Sequence, residues 1–113
     1  MTDILTVYST FASEEEAARI ARTLVEEGLA ACANIIGPCR SIYAWQGEME
    51  DAREVAALFK TTADAAEALI ARLAALHSYD VPAAIAWPIV SAHPPYADWI
   101  AQSVRAGDGP PRD

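Results

Sequence analysis

His77, Ser78 and Asp80 lie side by side in the chain and carry between them the functional groups of a hydrolytic triad. That chemistry needs the imidazole to take the serine proton while the carboxylate orients the ring. Side chains this close in sequence rarely converge on one substrate atom, so the spacing argues against it. Metal chemistry is the other use of His77. Joined by Asp80 and by a carboxylate of a neighbouring subunit, it forms a candidate site for a divalent cation such as copper or zinc. His93 is the only other imidazole. Cys32 and Cys39 are separated by Gly37-Pro38 and lack the close spacing of a zinc clip. Their odd separation puts them on opposite faces of a regular strand unless a bulge resets the phase. Ala30-Ala31-Cys32-Ala33 reads as a buried strand in which the thiol is an inert small hydrophobe.

Tyr43, Trp45, Glu54, Lys60, Tyr79 and Trp99 form an aromatic and charged set with two readings. As core and interface they need no ligand, because Tyr and Trp suit places apolar at one end and wet at the other. As a cleft, Trp45, Glu54, Lys60 and Tyr79 are the candidate ligand contacts, with Lys60 and Trp45 able to hold a small anion or ring. There is no P-loop, and Gly107-Asp108-Gly109 follows no strand and so makes no dinucleotide fingerprint. No catalytic residue and no required cofactor are expected.

The elements that must position these groups are marked by periodicity and punctuation. Ile4 to Ser9 alternates as a strand. Ser13-Glu14-Glu15-Glu16 is a capping box opening a helix whose apolar face is Ala17, Ile20, Ala21, Leu24 and Val25, with Gly28 as its left-handed stop. Leu29 begins a strand that breaks at Gly37-Pro38, resumes to Trp45, turns at Gly47 and returns to Thr62. Arms of roughly 13 residues would reach about 43 Å, twice a typical strand and far beyond what one helix covers. About half of this hairpin is therefore expected to lack cover from its own chain. Thr61 and Thr62 start a second helix with the stripe Ala66, Leu69, Ile70, Leu73 and Leu76. A loop from His77 to Pro82 leads to a fourth strand, Ala83 to Val90, which Pro88 assigns to a sheet edge. Pro94-Pro95 opens a final helix through Val104. The order βαββαβ with right-handed crossovers predicts a ferredoxin-like α+β fold, both main helices on one face and the first and third strands central. Residues 1–106 are read as one domain and 107–113 as a disordered tail.

The net charge of −8 and pI near 4.6 argue against binding to nucleic acid or an anionic membrane. The longest apolar run, Val81 to Val90, is too short for a bilayer and contains two prolines. Met1-Thr2-Asp3 has no signal-peptide character, and two cysteines make no secreted disulfide scaffold. A cytoplasmic chain is the expectation.

Several motifs then occur in order: Leu29-Ala-Ala-Cys32-Ala-Asn34-Ile-Ile, Ser41-Ile-Tyr43-x-Trp45-x-Gly47, Lys60-Thr-Thr, His77-x-Tyr79-x-Val81-Pro82 and Tyr96-x-x-Trp99. From about Leu5 to Val104 the chain resembles the CutA divalent-cation tolerance family. The resemblance implies a ferredoxin-like fold, a compact homotrimer joined through extended hairpins in the manner of PII signalling proteins, and a non-enzymatic role in tolerance of copper and other divalent cations. It also implies an alternative, a PII-like module binding small ligands in clefts between subunits. The usual His-Pro-Tyr-Glu-Val-Pro reads His77-Ser78-Tyr79-Asp80-Val81-Pro82 here, and Gly28 replaces a common basic residue. Positions matching copper ligands proposed in the family are Ser9, Leu76 and His77; only His77 keeps a ligating side chain.

Overall fold

Apolar alternation and helical stripes resolve into seven elements in the computed structural model, which describes residues 3–105. They are β1 (Ile4–Phe11), α1 (Glu14–Glu26), β2 (Cys32–Trp45), β3 (Glu48–Thr62), α2 (Ala63–Leu76), β4 (Ala84–Pro88) and α3 (Pro94–Ser103). The strands form one antiparallel sheet in the order β2-β3-β1-β4, so β1 and β3 are central and Pro88 lies on an edge strand, the ferredoxin-like arrangement. The tail expected at 107–113 lies outside the described residues.

One face of the sheet meets α1 and α2. Val7, Phe11, Ala57 and Phe59 pack there against Ile20, Leu24, Leu69 and Leu73. The opposite face is only partly covered: α3 seats Ile100 in a separate cluster with Ile4 and Ala31. The α1 stripe differs from expectation at one end. Val25 is 38% exposed, and at the other end Glu16 is buried, its carboxylate bonded to Ser78. Gly28 takes φ +78° as the chain leaves α1, and a Cβ there would meet the Arg105 guanidinium at 2.8 Å. Thr62 gives α2 no side-chain cap; the Thr61 hydroxyl donates to the Leu29 carbonyl at 2.7 Å instead, and the Ala63 amide donates to the Asp3 carbonyl.

The hairpin runs 14 residues out and 15 back, in a molecule whose longest extent is 45 Å. Its turn is Gln46-Gly47, both at positive φ, which matches the twist of the flanking strands. Between Ile35 and Gly37 the pairing register slips by one residue, a β-bulge at the Gly-Pro break. Cys32 therefore pairs with Lys60 and Cys39 with Glu54, and both cysteines share the face left open by the long helices. Residues 42–51 of the hairpin are exposed throughout.

Candidate functional site

Glu54 is the group around which a site forms. It is 7% exposed on the open face of β3, opposite Cys39. Its Oε1 accepts from the Ser41 hydroxyl at 2.6 Å and its Oε2 from the Tyr79 hydroxyl at 2.8 Å. Neither donor is a cation, and no Lys or Arg among the described residues forms an ion pair with this carboxylate. Burial, then the hydrogen bond to Glu54 and the charge behind it, pushes the Tyr79 phenol well above its usual range. Tyr8 is pushed up by burial and by Cys39 and Glu54. Beside this pair opens a cleft of about 560 Å³, lined also by Thr10, Tyr43, Trp45, Asp80 and the run Val81–Ala83. That volume falls within the range of small-molecule sites.

Tyr79 is held in place by a buried latch. The His77 side chain has no exposure and stacks on Phe11 with ring centroids 4.9 Å apart. A carbonyl can only accept and a backbone amide can only donate, so its tautomer is fixed. Nε2 donates to the Thr10 carbonyl at 2.8 Å, and Nδ1 accepts from the Tyr79 amide at 3.1 Å. Glu16 secures the preceding residue: its carboxylate accepts from the Ser78 amide at 2.8 Å, the Ser78 hydroxyl at 3.0 Å and the Ala12 amide at 3.3 Å. Burial raises the Glu16 carboxyl, but these donors outweigh it and leave the group below its ordinary value. The capping box is thus half as expected. The Ser13 hydroxyl accepts from the Glu16 amide at 3.1 Å, whereas the Glu16 side chain ties α1 to the loop after α2.

The sequence candidates divide accordingly. Trp45, Glu54, Tyr79 and Asp80 line one cleft. Lys60 does not join them: it sits six residues along β3, roughly 20 Å away at strand rise, and donates to Asn34 Oδ1 at 2.8 Å. His77 and Asp80 are not brought together on one wall: both His77 ring nitrogens are hydrogen-bonded and its side chain has no exposure, whereas Asp80 lines the cleft. The resemblance-derived trio fits a metal no better. Ser9 is buried with its hydroxyl donating to the Ala83 carbonyl at 2.6 Å, and Leu76 has no donor atom. No group of three His, Cys, Asp or Glu among the described residues is placed to hold a metal ion. The triad atoms are also apart in function: Ser78 bonds Glu16, and His77 bonds a carbonyl. Cys32 is half-buried, 3.5 Å from the Tyr96 hydroxyl, and not in the core. Tyr96 is pushed up to about 12 by that hydrogen bond and by burial.

Sequence reasoning missed Ser41 as the second donor to Glu54 and Glu16 as the anchor of the loop. Ser41 carries no signal beyond its motif; Glu16 showed only its local helix-capping role.

A family model described as CutA1 divalent ion tolerance protein matches residues 5–103. The chain is 46% identical over 97 residues to the divalent-cation tolerance protein CutA of Thermus thermophilus, covering 86% of this chain and 94% of that protein. It is 39% identical over 95 residues to the mouse protein CutA, covering 84% of this chain but 54% of the mouse protein's length. Its fold superposes with a TM-score of 0.84 on the periplasmic divalent cation tolerance protein CutA from Archaeoglobus fulgidus, at 38% identity over 91% of this chain and 98% of that one.

Proposed function

The chain belongs to the CutA1 divalent ion tolerance protein family, and from that premise we propose that it is a non-enzymatic homotrimer serving tolerance of divalent cations, copper among them. The number three comes from the family resemblance, and one observation supports the assembly: the distal hairpin and the open sheet face leave Ile42, Tyr43, Trp45, Met49, Ile85 and Trp87 exposed on one protomer. Apolar area of that kind marks a surface that is covered in the working assembly. Sedimentation velocity at micromolar concentration should give three times the 12.1 kDa chain mass. A folded monomer under those conditions would overturn the reading.

A non-catalytic role is supported by the hydrogen bonding of His77, whose ring nitrogens bond Thr10 and Tyr79 and not the Ser78 hydroxyl. The donor set favours weak metal contact at exposed carboxylates such as Asp80 over a cage at His77. Calorimetry with Cu(II) and Zn(II) should then give the same curve for the wild type and His77→Ala, once folding of the variant is verified. A lost high-affinity phase in the variant would restore His77 as a ligand. Two cysteines on one strand make no disulfide scaffold of the secreted kind, which supports the cytoplasm; no helix among the described residues is long and apolar enough to cross a membrane.

A second reading, a small-ligand module of PII-like kind, is favoured by the cleft at Glu54 and Tyr79.

A further inference from the structure

We propose that the cleft beside Glu54 binds the alkylammonium group of a small organic cation. The proposal rests on the second reading, that this cleft is a ligand site, and names the class of ligand. Its basis is what lines the space and what does not. Lys60, the cation expected there, is committed to Asn34 at the other end of the face. The lining that remains has two carboxylates, three aromatic rings and no Lys or Arg.

Glu54 is the anchor. A carboxylate offers four lone-pair positions, and Ser41 and Tyr79 occupy two of them with neutral donors. No Lys, Arg or His among the described residues pairs with Glu54, and it is only 7% exposed. Beside it, Tyr43 and Trp45 line the cleft, and aromatic rings attract a cation through their quadrupoles at separations within about 6 Å. Val81 and Pro82 supply an aliphatic wall for the carbon chain of such a ligand. Anions are disfavoured by Glu54 and Asp80 together. Hard divalent ions are a poorer match, because they require several free oxygen ligands held in one shell.

The test uses the intact full-length assembly, with n-butylammonium as the probe and 1-butanol as its neutral counterpart. Titration followed by NMR should show saturable shifts of the Trp45 indole N–H and of the Val81 backbone N–H with n-butylammonium and none with 1-butanol at tenfold higher concentration. Glu54→Gln should weaken binding by at least tenfold. Trp45→Leu provides the check if Glu54→Gln fails to fold, because Trp45 is 45% exposed and its loss leaves the core intact; followed at the Val81 amide, it too should weaken binding several-fold. Equal binding of the alcohol and the ammonium, or unchanged affinity in Trp45→Leu, would overturn the proposal. So would ammonium binding that appears only on dissociation into monomers, which would assign the seat to a Lys or Arg of a neighbouring copy. If acetate shifts the indole and n-butylammonium does not, the ligand site stands and its cationic specificity falls. If no cationic, anionic or neutral probe binds, both fall.

Discussion

The two halves of the long hairpin share a backbone and a pairing scheme yet live in different environments. Near the helices, Ala57 and Phe59 are fully buried, and on the opposite face Ala56 is buried and Leu58 and Lys60 are half-covered. Beyond Ser41 the same ladder continues with no helix on either face and only the cleft wall beside Tyr43 and Trp45, and Met49 reaches 75% exposure. Cross-strand hydrogen bonds are therefore enough to continue the ladder but not to bury its side chains. The proximal half contributes to the stability of one chain, whereas the distal half can contribute only when another surface arrives.

The largest effect should come from the buried half. Phe59→Ala removes a fully buried ring that sits edge-on to Phe11 with centroids 6.4 Å apart. Denaturant unfolding should register a loss of about 3–5 kcal/mol, a large part of the stability of a small domain. Met49→Ala at the far end should change protomer stability by less than about 0.5 kcal/mol while weakening self-association in a dilution series. Equal destabilisation by the two would erase the distinction between the halves.

Glu16→Gln comes next and probes the latch that holds Tyr79 against the hairpin. Three donors then face an amide that can accept fewer of them, a cost of about 1–3 kcal/mol by chemical denaturation. The sign with pH follows from the direction of the shift. The folded carboxyl lies below its reference of 4.5, so its contribution is present above that pH and is lost as pH falls through the depressed folded value. An acid unfolding curve for Glu16→Gln should lose this component; an unchanged acid limb would show that Glu16 is not coupled to the fold.

The smallest effect is expected at the exposed end. Arg40 bonds Asp51 bidentately at 2.8 and 2.7 Å across the uncovered ladder, with both side chains open to solvent. Arg40→Ala should leave protomer stability unchanged within error, since exposed pairs are offset by side-chain entropy and screened by salt. A clear loss would mean that the distal arm is already structured by its own charges.

Much of this was legible in the residues. Pro88 foretold an edge, Gly47 the turn, Gly37-Pro38 the bulge, and the arm length its missing cover. The site was legible only in part. Glu54, Trp45 and Tyr79 were singled out by type, yet Lys60 was grouped with them because sequence lists neighbours without measuring distance along a strand. His77 was read as a ligand because a loop histidine carries no mark of being buried. Its engagement depends on Thr10, 67 positions away, a contact no local pattern encodes. Glu16 shows the same limit, with its capping role visible and its reach to Ser78 hidden.

The slip between Ile35 and Gly37 sets a rule for how this arm tolerates change in length. In an unbroken strand one extra residue would invert the facing of everything beyond it. Ile36 stands unpaired in the bulge and absorbs that extra residue, so Cys39, Ser41, Tyr43 and Trp45 keep to the same side as Cys32. Deleting Ile36 would heal the ladder into regular pairing and leave the outer arm facing as it does. Elsewhere in the arm a one-residue insertion or deletion would reverse the facing beyond it, so viable length changes there should come in even numbers, and the bulge is the place where an odd change costs only a bend.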